Sequence, residues 1–212
     1  MVRLYQLMAQ KYQNAPRGEA RREAILRATL DVIAAHGTDG VTHRAVAAAA
    51  GVPLSATTYW FSSRDELLEE TLRFAAHAEV DRFERLVLEL ATRELTIAEW
   101  AGALAAALAG ELDAHRTRHL ALFELALEAA RRPALRPEAQ QVRATHLRLA
   151  EMGARAAGSA DPAADAPIIV ATVSGLMFDQ LAAPGHEFEA EVLRPALERL
   201  FDRLVSGAPQ PA

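Results

Sequence analysis

Cysteine is absent from the 212 residues, which removes disulfides, thiolate nucleophiles and cysteine-based metal sites together. No run approaches the ~20 uninterrupted apolar residues of a membrane span, and no charged, apolar and small-residue series marks a signal peptide. Those two absences read as a soluble, cytoplasmic protein with no membrane partner. Apolar and polar residues never alternate over a sustained β-branched run, so no sheet is expected. Gly-x-Ser-x-Gly, a phosphate loop, His-Glu-x-x-His and a dinucleotide fingerprint are all missing. The acidic residues fall on polar helix faces, and the chain reads as a non-enzyme without a cofactor. His115 and His119 lie four apart, but Arg116, Thr117 and Arg118 between them supply no third ligand, so no metal is expected.

Positive charge is also scarce. The net charge of −5 has the wrong sign for a nucleic-acid binder until it is divided along the chain. Residues 1–66 hold eight Lys or Arg against six Asp or Glu, and residues 67–212 hold fifteen against twenty-two. The cations gather at the amino-terminal end.

What is present is helical periodicity. After an arm ended by Pro16-Arg17-Gly18, the spacing of Ile25, Leu26, Thr29, Leu30 and Ile33 predicts a first helix over about 18–36, stopped at Gly37. Thr42 then caps a short second helix, Gly51 stops it in the left-handed conformation, and a third begins within three residues, about 54–59. That is a helix-turn-helix. Val46, Val52 and Trp60 supply its apolar contacts, and Tyr59 stands between core packing and a wet hydroxyl.

Capping boxes at Ser63/Glu66 and Thr96/Glu99 open a fourth helix running to about residue 91 and a fifth to about 114. Further helices are expected over about 116–132, from Pro137 to 157, over 165–182 and over 188–206. The fold is therefore all-α, of about nine helices. Its parts are an arm (1–17), a helix-turn-helix domain (18–66) and a carboxy-terminal helical domain (67–212).

The segments Arg21-Arg22-Glu23-Ala24-Ile25-Leu26-Arg27-Ala28, Ala47-x-x-Ala50-Gly51-Val52 and Phe61-x-Ser63-Arg64-Asp65-Glu66-Leu67 resemble the DNA-binding domain of TetR-family transcriptional regulators over about residues 18–75. Beyond that the likeness is architectural. The common family pattern has an aromatic three residues before this Phe; here Thr58 stands there and Tyr59 follows. Which of the two hydroxyls meets a phosphate stays open.

The resemblance implies a double-stranded DNA operator as partner and a base or phosphate contact at Arg44. Leu54, Ser55 and Ala56 open the third helix as the readout face, and Thr42, Thr58, Tyr59 and Arg64 would hold the backbone. It also implies that the last two helices pair with those of a second subunit. Their wide apolar faces suit this: Ala171 and Gly175 allow close approach, with Leu193, Leu197, Leu200, Phe201 and Leu204 alongside. Trp100, Leu104, His119, Phe123, Leu127, Met152, Met177 and Phe178 would line an apolar ligand cavity between helices five to eight. Glu124, Thr145, His146, Thr172, Ser174 and Asp179 are further candidates to orient a ligand.

The expected function is a homodimeric, ligand-responsive repressor on a pseudo-palindromic operator, released by a small apolar or aromatic effector. Two alternatives are an effector-independent or protein-partnered DNA-binding activator, and a helical small-molecule carrier or enzyme that keeps the corner as a structural element.

Overall fold

Residues 17–93 and 95–206 are described in a computed structural model of the chain, and every regular element among the described residues is helical. Residues 1–16 of the expected arm, with Arg3 and Lys11, lie outside them. Helix α1 (Arg17–His36) buries Ile25, Leu26, Thr29, Leu30 and Ile33, the stripe its periodicity predicts. Gly37, with φ of 68°, turns the chain into a 3₁₀ turn at Thr38–Gly40.

In α2 (His43–Ala49) the Thr42 hydroxyl accepts from the Ala45 amide at 3.0 Å. The helix ends in a Schellman motif. Gly51 takes φ of 63°, Val52 N–H donates to Ala47 O at 3.0 Å, and Gly51 N–H donates to Ala48 O at 3.3 Å. Any other L-residue at that φ is strained by its Cβ. Helix α3 (Leu54–Trp60) follows, closed by the buried Phe61.

The Ser63 hydroxyl caps α4 (Arg64–Ala91) by accepting from Glu66 N–H. The return bond goes one residue further back than expected: Glu66 accepts from the Ser62 hydroxyl at 2.5 Å and the Ser62 amide at 2.6 Å. Those two bonds, the hydroxyl first, hold the Glu66 carboxyl below its ordinary pKa. At α5 (Ile97–Ala114) the Thr96/Glu99 box closes reciprocally, as expected.

The remaining helices are α6 (Arg116–Arg131), α7 (Arg136–Ala156), α8 (Pro162–Ala182) and α9 (Arg194–Ser206). Helix α8 starts earlier than the spacing predicts, because Asp161 caps it by accepting from Ala164 N–H at 3.2 Å. Residues Phe188–Leu193, expected as the start of the last helix, form a π-helical turn ahead of α9.

Two cores result. One gathers α1, Val46, Phe61, the first turns of α4 and Leu135, together with Ala121, Leu125 and Ala129 of α6. The other joins α5 to α9 through Trp100, Leu104, Leu108, Leu193, Leu197 and Phe201, and takes in Ile169 and Met177 of α8. Helix α4 contributes to both cores, through Leu67 to Ala75 and through Leu90. Helix α6 packs on α1, so the expected boundary at residue 66 falls inside one continuous core rather than between two.

Charged contacts brace the same junction. Arg22 pairs with Glu70, Arg73 with both Glu70 and Glu138, and Arg132 with Glu128, while Arg132 Nη1 lies 2.6 Å from Asp65 Oδ1. Burial, and next the neighbouring Glu138, raise the Glu69 carboxyl pKa.

Candidate nucleic-acid interface and ligand cavity

Between Gly40 and Ser62 the chain carries no Asp or Glu, and Arg44 is its only Arg or Lys. A surface that meets phosphates must lack carboxylates, and this one does. Arg44 is exposed in the first turn of α2, beside the capping Thr42. On α3, Leu54, Ser55, Thr58 and Tyr59 are exposed, Tyr59 to 79%. Tyr59 is therefore a surface side chain, its ring edge-on to Trp60 with centroids 5.2 Å apart.

Ala56 does not share that openness: it is half-buried against the first core. Thr57, which spacing alone did not single out, is fully buried. Its hydroxyl donates to Leu54 O at 2.8 Å and reaches His43 O at 3.4 Å, tying α3 to the start of α2. In the sequence two adjacent threonines look alike; only packing separates the buried one from exposed Thr58.

Arg64 is a correction. The resemblance places it among the phosphate contacts, but its guanidinium donates inward, Nε to Val41 O at 3.1 Å and Nη2 to Thr38 O at 2.6 Å. It holds the turn that delivers Thr42 to the start of α2.

Two adjoining cavities lie among α4 to α9. The smaller, about 120 Å³, is lined by Trp100, Leu104, Leu108, Leu149, Ile169, Val173 and Phe201. The larger, about 320 Å³, is lined by Leu72, His119, Leu122, Phe123, Val142 and Arg143. His146, Val170, Ser174 and Met177 border both. Trp100, Leu104, His119, Phe123 and Met177 thus each line one or both of these cavities.

Leu127, Met152 and Phe178 do not line either cavity, contrary to expectation. Leu127 and Phe178 point outward, and Phe178 meets Phe123 edge-on at 5.5 Å. Of the further orienting candidates, His146 and Ser174 reach the cavities. Thr145 is occupied by Gln141 O and Arg148, and Glu124, Thr172 and Asp179 line neither space. Among the described residues no three His, Asp or Glu side chains converge on a point that suits a metal ion.

The apolar faces of α8 and α9 divide differently from the sequence reading. Leu193, Leu197 and Phe201 are sequestered in the chain's own second core, and Leu200 and Leu204 are half-buried against it. What remains open is a stripe on α8: Ile168, Ala171, Gly175 and Phe178.

Comparison with known proteins fits this geometry. Residues 25–71 match the profile described as bacterial regulatory proteins, tetR family, and residues 95–206 match the tetracyclin repressor-like C-terminal domain. The multidrug binding protein EbrR, complexed with imidazole, is 32% identical; the match covers 94% of this chain and 96% of that one, with a TM-score of 0.65. A TetR-family member from Streptomyces coelicolor A3 is also 32% identical, over 87% of this chain and 98% of that one, with a TM-score of 0.69. The HTH-type transcriptional regulator PksA of Bacillus subtilis is 35% identical over 77 residues, so this chain spans 36% of that relative's length. No helix among the described residues is long and apolar enough to cross a membrane. Carrying the family's amino-terminal reading head and its carboxy-terminal domain in one fold, the chain belongs to the TetR family of bacterial transcriptional regulators.

Proposed function

We propose that the protein is a homodimeric, ligand-responsive repressor that places α3 of each subunit in successive major grooves of a pseudo-palindromic operator. The observation that carries this reading is the double duty of α6. His119, Leu122 and Phe123 line the larger cavity, while Ala121, Leu125 and Ala129 on the same helix pack into the core that holds α1 and α2. A ligand that displaces α6 therefore moves the base of the reading head. Release requires only that the ligand bind the displaced arrangement more tightly than the DNA-competent one. The similar multidrug binding protein EbrR, solved in complex with ethidium, malachite green and proflavin, supports a small-molecule effector.

Fluorescence anisotropy against promoter DNA beside the protein's own gene tests the reading. Binding should weaken steeply with salt. Arg44→Ala and Tyr59→Ala should each cost about 1–3 kcal/mol, roughly 5- to 150-fold in affinity, with folding unchanged. Full affinity in both variants, or binding insensitive to salt, would overturn it.

Arg64 behaves differently under this reading. Arg64→Ala should lower stability by about 1–3 kcal/mol, because two carbonyls lose a charged donor. Operator binding should weaken with the salt slope unchanged; a phosphate contact would instead reduce that slope by about one. The two outcomes separate in a single set of salt titrations with a thermal melt beside it.

A further inference from the structure

Helix α3 divides into an outward and an inward side. Ala56 and Trp60 pack on the first core, and Thr57 is buried with its hydroxyl reaching α2. At about 3.6 residues per turn the exposed residues, Leu54, Ser55, Thr58 and Tyr59, fall on the opposite arc. That outward side carries no amide, carboxylate or guanidinium, so α3 cannot form the bidentate bonds that read guanine or adenine.

Leu54 and Thr58, four apart, share one face of the helix. The Thr58 hydroxyl donates back into its own helix, to Ser55 O at 3.3 Å and Leu54 O at 3.4 Å. With its single proton engaged there, Thr58 has no donor for a base edge. Leu54 is 45% exposed and belongs to neither core, so no packing within the chain calls for a leucine at that place. Covering it with another apolar group is favourable, and the apolar group that a base pair offers in the major groove is the C5-methyl of thymine.

We infer that α3 reads its operator half-site through a thymine methyl, and that Leu54, with Thr58 beside it, sets this specificity. The inference rests on the operator-binding reading above and names the base that reading requires. The hydroxyls of Ser55 and Tyr59 suit phosphates or more than one base. Arg44, the only Arg or Lys between Gly40 and Ser62, stands on α2. Within α3 the discrimination therefore falls to Leu54.

Selection of tight-binding duplexes from a random pool by the full chain tests this. The enriched duplexes should carry thymine at one matched position in both half-sites. Remade with uracil at those two positions, which deletes only the two methyls, the duplex should bind about tenfold more weakly. In Leu54→Ala that thymine-to-uracil ratio should fall to about twofold or less; because it is a ratio within one protein, any general loss of affinity cancels. Thr58→Ser, which removes a methyl and keeps the hydroxyl, should lower the ratio partway, and it serves as the second variant if Leu54→Ala fails to fold. A uracil duplex bound as tightly as its thymine parent, or an unchanged ratio in the folded variant, would overturn the inference and leave the repressor reading standing. Failure to enrich any duplex would instead sink the repressor reading, and the inference with it.

Discussion

Glutamate at both Ile168 and Phe178 is expected to leave a folded monomer with operator affinity reduced by about 100-fold or more. The two side chains are 48% and 47% exposed, and with Ala171 and Gly175 they mark intervals of three, four and three residues along α8, the spacing of a helix–helix seam. A Cβ built on Gly175 meets nothing within 4 Å, so a second helix can approach there. In a two-fold interface the same patch faces itself, so each introduced carboxylate is repeated across the axis. Each side chain is about half exposed, so lost burial alone removes about 0.7–1.5 kcal/mol for each, and symmetry doubles it. The operator follows, because a dimer's second reading head binds at the high effective concentration set by the first. Sedimentation, circular dichroism and anisotropy on one sample decide it. A dimer that persists, with operator binding intact, would place the interface elsewhere.

The helix-turn-helix could be read from the chain because its signals are local. Thr42 caps, Gly51 takes a left-handed φ, and Ser63 and Thr96 each accept from the amide three residues on. Each requires only neighbours in sequence. The surfaces of α8 and α9 could not be read in this way. Leu193, Leu197 and Phe201 have the composition of an interface, and hydrophobicity says that they are covered without saying by which element. Here α5 covers them. Arg64 fails for a related reason: a cation beside a turn suits a phosphate, and the two carbonyls it meets lie more than twenty residues away in sequence. Leu127 and Phe178 carry the right chemistry for a cavity wall but stand on the outward faces of α6 and α8.

The junction between reading head and ligand domain follows from the same packing. Helix α4 is long enough to be chosen as the lever from sequence alone, but α6 is invisible as one until its position against α1 is known. The pairing of Arg132 with Asp65 adds a second tie between the end of α6 and the start of α4. Under the proposed function a displacement of α6, whose core and cavity residues alternate along one helix while α4 adds Leu72 to the same cavity wall, is the simplest route from ligand to DNA.

That arrangement gives Phe201 an expected result opposite to the one its spacing suggests. The side chain is 1% exposed within a single subunit, its ring lies 5.4 Å from that of Trp100, and it forms part of the wall of the smaller cavity. Phe201→Ala should therefore destabilise the fold by about 3–5 kcal/mol. For a chain of this length each kcal/mol moves the Tm by about 2–4 °C, so the melt should fall by roughly 6–20 °C. With the proposed dimer joined through the open face of α8, the subunits should stay paired up to that lowered transition, and the vacated ring adds volume beside Trp100. Leu197→Ala, buried in the same core but outside the cavity wall, should also lower the Tm while adding no volume to the cavity beside Trp100. Were Phe201 an interface residue, its truncation would instead dissociate the subunits while leaving the monomer's own melt in place. Calorimetry with sedimentation across a range of protein concentrations distinguishes the two, because a dimer that persists to its melt keeps a concentration-dependent transition, whereas separated subunits melt at a temperature independent of concentration.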